Sequence, residues 1–206
     1  MKAKRILDLF AALAVVIILS PLLLAVAVIV RMFLGSPILF RQVRPGYRAQ
    51  PFMCLKFRTM TDMRDAQGQL LSDAERLTPL GRFLRSTSLD ELPELVNVIR
   101  GEMSLVGPRP LLMQYLDRYT AEQMRRHDVK PGVTGWAQIN GRNSASWEQK
   151  FAYDVWYVEN QSFWLDLKIL TLTPGKILKR EGISNGAHVT MPEFMGYKRQ
   201  KTRQAN

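Results

Sequence analysis

Two adjacent acids stand out as residues that could do chemistry. Asp90 and Glu91 lie side by side between two leucines, and Pro93 follows them at the expected start of a helix. The same stretch ends in a stiff Gly-Pro-Arg-Pro segment that carries Arg109. An acid pair at a helix mouth and a guanidinium on rigid backbone suit chemistry on a bound phosphate, because the cation offsets the repulsion between anions. The spacing therefore indicates a phosphate-handling site.

The same residues also fit a purely structural role. Ser88 precedes Glu91 by the spacing of a capping box, and acids near a helix N-terminus are favoured by the helix dipole. In that interpretation Asp90 and Glu91 only close the helix. Spacing alone leaves both interpretations open, so other parts of the chain must decide between them.

Composition limits the class of protein. The 206 residues allow one ordinary domain plus an appendage. A net charge of +11 implies a polyanionic partner, which is nucleic acid, an anionic membrane or a phosphorylated substrate. The single Cys54 excludes an internal disulfide and a cysteine-based zinc site, and His127 and His188 are too distant in sequence to suggest a transition-metal site. A metal here is expected to be a hard cation such as Mg²⁺.

An apolar run near the N-terminus predicts membrane attachment. Residues 9–30 carry no charge, and a straight helix of that length reaches roughly 33 Å, enough to cross a bilayer core. The run is too long for a typical signal peptide. Ser20-Pro21 near its midpoint and basic residues at both ends favour a helix that enters the membrane, breaks and leaves by the same face. Because proline kinks also occur in spanning helices, the residues alone leave both topologies open.

The remaining pattern predicts an α+β fold that is mostly helical, with a small β-hairpin and short strands. The hairpin is expected at residues 38–60, with its turn at 44–47 and with Lys56 and Arg58 on one face of the second strand. Two cations on one face could be a solvated surface or could line a phosphate site. The other expected elements are a mobile loop at 61–76, a helix after Thr78-Pro79 that buries Leu80, Phe83 and Leu84, helices at 93–101, 111–126, 146–159 and 162–172, and a strand at 130–142.

Two features near the C-terminal end also bear on function. Arg142 follows an Asn-Gly pair, where a tight turn can aim a guanidinium at a phosphate, although an ordinary exposed arginine fits as well. The last helix, which Pro174 is expected to end, carries Phe163 and Trp164 among leucines. That helix is either part of the core or an amphipathic helix along a membrane interface. The polar chain from residue 182 is expected to be loosely ordered.

These motifs resemble those of the monotopic phosphoglycosyl transferases, the bacterial sugar transferase family, and most of all its minimal PglC-type members. The resemblance rests on the apolar run with Ser20-Pro21, on FRQVRPG and LKFRTM, and on the long segments RSTSLDELPELVNVIRGEMSLVGPRP and RHDVKPGVTGWAQINGR. It covers nearly the whole chain. Several long motifs in one order are far more specific than a single acid pair.

The resemblance implies an enzyme that moves a phospho-sugar from a UDP-sugar to polyprenyl (undecaprenyl) phosphate, which releases UMP and begins the synthesis of a glycoconjugate. Asp90 resembles the nucleophile that becomes a covalent phospho-sugar intermediate, and Glu91 resembles its partner, with both acids implied as ligands of a Mg²⁺ cofactor. Further basic positions match phosphate-binding residues of the family: Lys56, Arg85, Arg109 and Arg142.

The resemblance also implies a location and a division of the chain. Residues 1–35 are expected to form a re-entrant membrane helix hinged at Ser20 and Pro21, residues 36–185 a catalytic domain, and residues 186–206 a tail. The protein would be monotopic in the bacterial inner membrane, with its catalytic domain on the cytoplasmic face. Expected partners are the UDP-sugar, the polyprenyl phosphate, anionic membrane lipid and downstream glycosyltransferases, but not nucleic acid.

Two rival functions are weaker. A non-catalytic, membrane-anchored basic module that binds nucleic acid or anionic lipid explains the charge and the apolar run, but acids among its basic motifs would repel a polyanion. A hydrolase that passes the phospho-sugar to water would share the same site. The donor sugar is open: RHDVKPGVTG and GISNGAHVTMPEF resemble the branch that uses diacetylbacillosamine-like sugars, whereas galactose and N-acetylgalactosamine users share the core motifs.

Overall fold

The structure, a computed structural model, describes residues 2–141, 145–178 and 192–196. The helices in the described residues are α1 (Lys2–Ile18), α2 (Ser20–Leu34), α3 (Asp73–Arg76), α4 (Pro79–Ser86), α5 (Glu94–Arg100), α6 (Ala121–Met124), α7 (Trp136–Asn140), α8 (Trp147–Asn160) and α9 (Phe163–Leu178). The strands are β1 (Leu39–Pro45), β2 (Pro51–Phe57), β3 (Ser104–Val106) and β4 (Gly132–Thr134). The predicted α+β class, mostly helical with short strands, is confirmed.

The predicted hairpin is confirmed, but its turn is shifted along the chain. β1 and β2 pair antiparallel, and Pro45 is still opposite Pro51 at the end of the ladder. The reversal therefore falls on residues 46–50 and not on 44–47. Within that turn Arg48 adopts a left-handed conformation with a φ of 53°.

A second, parallel pair of strands leads into the segment that carries Arg109. Ser104 of β3 is opposite Gly132 of β4. The expected strand at 130–142 is wrong beyond residue 134, because the chain turns at Gly135 and begins α7. The two segments approach so closely that a Cβ on Gly132 would lie 2.0 Å from the Gly107 amide nitrogen. Glycine is therefore required where this pair packs against the segment that carries Arg109.

The expected single helix at 111–126 is wrong. Leu112 and Tyr119 are extended and bound a short 3₁₀ segment, after which Thr120 begins α6. The Thr120 hydroxyl accepts a hydrogen bond from the Gln123 amide, and the Gln123 side chain accepts one from the Thr120 amide. This capping box starts a new helix where the sequence pattern suggested continuity.

The last helix is longer than predicted, whereas the helices expected at 93–101 and 146–159 are confirmed as α5 and α8. α9 continues through Pro174. The Thr173 hydroxyl lies 2.7 Å from the Ile169 carbonyl oxygen and 2.8 Å from the Thr134 hydroxyl of β4. These contacts hold the turn around the proline against β4, so packing overrides the tendency of proline to end a helix.

The segment before the acid pair is more structured than expected. The loop at 61–76 contains α3, which Ser72 caps. The helix after Thr78 is confirmed as α4, and the Thr78 hydroxyl accepts from the Gly81 amide. Leu84 is buried, but Phe83 is 51% exposed, so the predicted buried stripe is narrower than three residues.

The apolar N-terminal run forms two helices that meet at a bend. No single helix in the described residues is long and apolar enough to cross a bilayer. The two helices Ala3–Ile18 and Ser20–Leu34, which are bent by 64°, together have the required length and composition. Pro21 has no amide hydrogen to donate to the Ile17 carbonyl, which a continuous helix would require. The Ser20 hydroxyl donates to that carbonyl over 2.8 Å instead. The bend is therefore built by the Ser20-Pro21 pair.

Both helices of this pair pack against the rest of the chain. Ala12 of α1 lies in the main core with Leu95 and Val98 of α5. Val30 of α2 packs in a second cluster with Phe57 at the end of β2. The bent pair is thus fixed to the domain through two separate contacts.

Polar contacts fix the first turns of α1. Asp8, which is 5% exposed, accepts hydrogen bonds from the Ser104 hydroxyl at 2.8 Å and from the Leu105 amide at 3.2 Å. Lys4 forms an ion pair of 2.5 Å with Asp166 of α9. The start of α1 is therefore joined to β3 and α9 by hydrogen bonds and charge.

The C-terminal tail is partly ordered, which corrects the expectation for residues 192–196. Phe194 is completely buried among Tyr115, Tyr119 and Phe151. Its carbonyl oxygen accepts a hydrogen bond from the Arg118 side chain at 2.5 Å. The tail is anchored at this aromatic cluster because one large side chain fills it.

Candidate active site

The acid pair lies on a 3₁₀ turn, Leu89–Glu91, directly before α5. Ser88 has a φ of 55°, in the left-handed region, and its side chain caps nothing. The capping-box interpretation of Ser88 and Glu91 is therefore wrong, because Glu91 is directed towards cations and not towards a backbone amide. A left-handed non-glycine residue is costly, and such strain is common at functional sites.

Lys56 joins the hairpin to the acids. Its Nζ lies 2.7 Å from Glu91 Oε1 and 3.1 Å from Glu94 Oε1. Glu94, which is 1% exposed in the first turn of α5, is a site residue that the sequence analysis missed. The sequence signal was weak, because a spacing of three residues after Glu91 also fits an ordinary acid in the first turn of a helix. Arg58, the other predicted strand cation, lies elsewhere and binds the Ser36 and Met60 carbonyls.

Arg109 is the second cation that binds Glu91. Its Nη1 lies 3.2 Å from Glu91 Oε2, and its Nη2 donates a short hydrogen bond to Oε1. Burial alone would raise the pKa of Glu91, but the charges of Arg109 and Lys56 outweigh burial and hold that pKa well below its usual range. Glu91 is therefore a fixed anion. The Arg109 side chain is 43% exposed, so it is also accessible to a ligand.

Asp90, in contrast to Glu91, has a raised pKa. It is 8% exposed and makes no hydrogen bond or ion pair within the part of the chain that the structure describes. Burial and then the adjacent charge of Glu91 raise the pKa of Asp90 to about 7, although Lys56, Arg109 and Arg85 oppose the shift. Two neighbouring carboxyl groups with pKa values driven apart by their surroundings are typical of catalytic pairs.

The remaining predicted cations have different outcomes. Arg85, near the end of α4, donates from Nε to the Thr59 hydroxyl at 3.0 Å and lies close enough to Asp90 to affect its pKa. Arg142 lies outside the described residues. The structure thus brings Lys56, Arg85 and Arg109 to the acid pair and leaves the placement of Arg142 as a prediction.

Two further cations of the site were missed. Arg44 on β1 lies close to Arg109, and burial together with that charge lowers its pKa. Lys150 on α8 has its Nζ 5.2 Å from the centroid of the Trp147 ring. Burial and the charge of Arg109 lower the pKa of Lys150 to about 8. Arg44 lies in the FRQVRPG segment and Lys150 in no segment singled out above, and nothing in the sequence directs either side chain towards the acid pair. Only the folded arrangement identifies them as cations of the site.

The acid pair suits a hard cation only in combination with a ligand. The described residues include no group of three histidine, cysteine or acidic side chains that could hold a metal. Mg²⁺ commonly takes one or two carboxylates and completes its shell with substrate phosphates and water. Among the described residues, no side chain occupies either oxygen of Asp90, and Glu91 Oε2 accepts only the 3.2 Å hydrogen bond from Arg109. These donors fit Mg²⁺ held between the pair and a diphosphate.

The chain is similar to known proteins over most of its length. A family model described as bacterial sugar transferase matches residues 1–180. A Bacillus subtilis protein named uncharacterized sugar transferase EpsL is 58% identical over 193 residues, which cover 94% of this chain and 96% of that protein. A UDP-glucose:undecaprenyl-phosphate glucose-1-phosphate transferase from Klebsiella pneumoniae is 43% identical over 180 residues. A Caulobacter vibrioides protein of the same name is 42% identical over 187 residues.

Coverage of these relatives differs. The aligned segment is 82% of this chain but 39% of the Klebsiella protein, so the chain spans about two fifths of that relative. The Caulobacter alignment covers 85% of this chain and 69% of its relative. The match to the family model, in contrast, includes every site residue described above. The chain therefore belongs to the bacterial sugar transferase family.

Proposed function

We propose that the chain is a phosphoglycosyl transferase that moves a phospho-sugar from a UDP-sugar to a polyprenyl phosphate. The observation that carries the proposal is that Asp90, which is buried and has no partner among the described residues, lies beside a Glu91 that two cations hold in place. The family match supports the reaction type, and the relatives named as UDP-glucose:undecaprenyl-phosphate transferases support the donor and acceptor classes.

Asp90 is proposed as the nucleophile of a two-step transfer. Its carboxylate oxygen attacks the phosphorus that carries the sugar, the bond to the bridging oxygen of the diphosphate breaks, and UMP leaves with that electron pair. An oxygen of the lipid phosphate then attacks the same phosphorus and releases the Asp90 carboxylate. Covalent catalysis of this kind divides one difficult transfer into two easier steps.

The cations around the pair offset the repulsion between anions. Two unit charges about 4 Å apart repel by roughly 4 kcal/mol near a protein surface. Lys56 and Arg109 are already committed to Glu91, so they fix its orientation and lower the local negative potential. Arg85, which makes no ion pair within the described residues, is available to the incoming diphosphate. Mg²⁺, when bound by Asp90, Glu91 and the donor, would stabilise charge on the departing UMP.

The bent pair α1–α2 is proposed as a re-entrant membrane anchor. Its exposed surface is apolar, with Phe10, Ile17, Ile18, Met32 and Phe33 each at least 67% exposed. On α9, Phe163 and Trp164 are 54% and 74% exposed, which suits a helix along the interface. Such an anchor would keep the acid pair at the depth of a lipid phosphate. We place the protein in the bacterial inner membrane with its catalytic domain on the cytoplasmic face, where anionic lipid and downstream glycosyltransferases are its expected partners.

The test is UMP release from the full chain in nanodiscs that contain Mg²⁺, with and without undecaprenyl phosphate. UDP-glucose and UDP-galactose are included because relatives carry those names, and UDP-diacetylbacillosamine because of the motif resemblance. We expect release with one donor that is sustained only when the lipid phosphate is present. Release that is independent of the lipid would indicate a hydrolase and contradict the proposed acceptor.

Asp90→Asn tests the proposed nucleophile. This variant should release no UMP and trap no phospho-sugar on the protein, whereas Asp117→Asn, which changes an exposed aspartate, should behave as the unmodified chain does. Substantial turnover by Asp90→Asn would exclude a covalent intermediate at this residue.

A further inference from the structure

A second phosphate-compatible feature lies away from the acid pair. A groove of about 280 Å³ runs between the β-hairpin and α5. Its lining residues are Leu39, Arg41, Met53, Leu55, Val96 and Arg100. The groove is therefore an apolar trough that two guanidinium groups border.

The hairpin register separates this groove from the acid pair. Lys56, which contacts Glu91, is opposite Phe40, whereas Arg41 is opposite Leu55. Because neighbouring residues of a strand point to opposite faces, Lys56 and Arg41 lie on opposite faces of the hairpin. A ligand whose phosphate sits at Arg41 is thus on the far side of the hairpin from Asp90.

The two arginines of the groove form no polar contacts that stabilise the described part of the fold. Arg41 and Arg100 are exposed, and neither makes a hydrogen bond or ion pair with any residue in the described ranges. The carbonyls at the end of α5 would repel an anion, but Arg5 donates to those of Val98 and Ile99 at 2.5 and 2.8 Å. The C-terminal end of the helix next to Arg100 is therefore already neutralised.

One wall of the groove packs against the N-terminal pair. Leu39 packs against the cluster formed by Val30 and Leu34 of α2. Met53, on the opposite strand, is 41% exposed. An amphiphile could therefore place its charged group between the arginines and its first methylene groups along Leu39 and Met53.

We propose that this groove binds the phosphate headgroup of an anionic phospholipid of the bilayer. The charge of the ligand matches the site, because two guanidinium groups without partners in the described ranges border a groove with no acidic lining residue. The apolar floor of the groove suits the acyl chain of a lipid and does not suit a soluble anion. The inference rests on the proposed membrane attachment and assigns a lipid-binding role to residues outside the catalytic pair.

The experiment uses the full chain, solubilised in detergent and stripped of lipid, with dioctanoyl phosphatidylglycerol as the probe. The double variant Arg41→Gln/Arg100→Gln should bind this lipid at least about tenfold more weakly than the unmodified chain, because each guanidinium would lose a charge-assisted hydrogen bond. The matched control, Arg48→Gln/Arg64→Gln, removes the same charge from the hairpin tip and the following loop and should keep full affinity. Dioctanoyl phosphatidylcholine, which has no net charge, should bind all three proteins weakly.

Several results would overturn the inference. Equal phosphatidylglycerol affinity in the double variant and the unmodified chain would remove the arginines from the site. Inorganic phosphate that competes at the same concentration would assign a soluble anion instead of a lipid. Displacement by one equivalent of undecaprenyl phosphate would assign the groove to the acceptor. UMP release is measured on the same samples, so a failure of the proposed transferase activity is seen separately from a failure of lipid binding.

Discussion

Arg126 donates from Nη2 to the main-chain carbonyl of Arg109 over 2.7 Å, and the same guanidinium nitrogen lies 2.7 Å from Asp154 on α8. The side chains of Arg126 and Asp154 are only 2% and 5% exposed. A buried ion pair therefore holds the backbone of Arg109, the residue that binds Glu91. We infer that Arg126 and Asp154 position Arg109 for catalysis without touching the substrate.

Substitutions of this pair should separate stability from activity. Arg126→Met leaves Asp154 as an uncompensated buried charge and is expected to cost about 3–5 kcal/mol of stability. Arg126→Met/Asp154→Leu should regain most of that stability, because apolar residues can replace a buried pair. Its rate of UMP release should stay about tenfold or more below the unmodified chain, because the Arg109 carbonyl has lost its donor.

The measurements are thermal unfolding in detergent and UMP release on the same samples. The matched control is Arg125→Gln, at the residue before Arg126, which breaks an exposed ion pair with Glu159. It should change neither the melting temperature nor the rate of UMP release. A double variant with both native stability and native rate would mean that Arg126 does not position Arg109.

The raised pKa of Asp90 predicts how activity depends on pH. Since a nucleophile must be ionised and this pKa is about 7, kcat/KM should rise as the pH passes from 6 to 8 and then level. Lys56→Arg keeps the neighbouring charge and should keep a rise in the same range. A profile that is flat across this range would contradict ionisation of Asp90 as the controlling step.

The raised pKa of Asp90 also predicts that the stability of the folded chain depends on pH. In the unfolded chain the pKa of an aspartate is about 3.9, so the folded protein holds the Asp90 proton more tightly. The stability that this proton contributes is complete below about pH 4 and is lost as the pH rises through about 7. Asp90→Asn should therefore be more stable than the unmodified chain at pH 8, with a smaller gain at pH 5. An equal difference in melting temperature at both pH values would contradict the shifted pKa.

The sequence was sufficient to predict the centre of the site. Asp90, Glu91 and Arg109 lie in contiguous motifs whose spacing suits phosphate chemistry, and the strand alternation placed Lys56 on one face. The same alternation suggested Arg58, which the structure places in loop contacts beyond the end of β2. The difference arises because the strand ends at Phe57, and alternation carries no information past that residue.

Other features depend on contacts between distant segments and could not be predicted. Glu94 reads as an ordinary acid in the first turn of a helix until Lys56 is seen 3.1 Å away. Lys150 becomes part of the site only because α8 packs beside the segment that carries Arg109. Pro174 remains inside α9 because Thr173 is tied to β4. In each case packing between distant segments overrides or adds to the local signal.

Lys56 should be essential for stability as well as for activity. It is the cation between half-buried Glu91 and buried Glu94, so Lys56→Met is expected to cost about 3–5 kcal/mol. Glu94→Gln in that background should recover part of the loss, because it removes the buried acid that has lost its cation, whereas Glu91 keeps Arg109. The coupling free energy from a double-mutant cycle of thermal unfolding measures the interaction. Additive effects would show that Lys56 and Glu94 do not interact energetically.

Glu91→Gln tests the proposed Mg²⁺ contact. The amide keeps the shape of the side chain but loses the charge that Arg109 and Lys56 bind, and it is a poorer ligand for a hard cation. We expect a lower maximal rate and a Mg²⁺ titration of UMP release shifted to higher concentration by about tenfold or more. Glu102→Gln, an acid on the loop after α5 whose side chain accepts from Asn97, is the control for a general charge effect. An unchanged titration would remove Glu91 from the proposed metal site.

Pro21→Leu tests the re-entrant anchor. Leucine restores an amide at position 21, which can donate to the Ile17 carbonyl now taken by Ser20, so a straight helix becomes possible. A continuous helix over residues 2–34 would reach roughly 50 Å, more than a bilayer core. The contacts of Asp8 with β3 oppose straightening, so the shift should be partial.

A cysteine introduced at Ala3 reports which side of the membrane the N-terminus occupies, because the native Cys54 is buried and shielded from a membrane-impermeant maleimide. Intact cells should show no outer-face labelling of the chain with Pro21, partial labelling with Pro21→Leu, and more with Pro21→Leu/Asp8→Ala. Pro174→Leu, which replaces the proline inside α9, should stay unlabelled. Labelling of the chain that retains Pro21 would mean that the N-terminus already crosses the bilayer, and the bend at Ser20-Pro21 would then be a kink within a spanning helix.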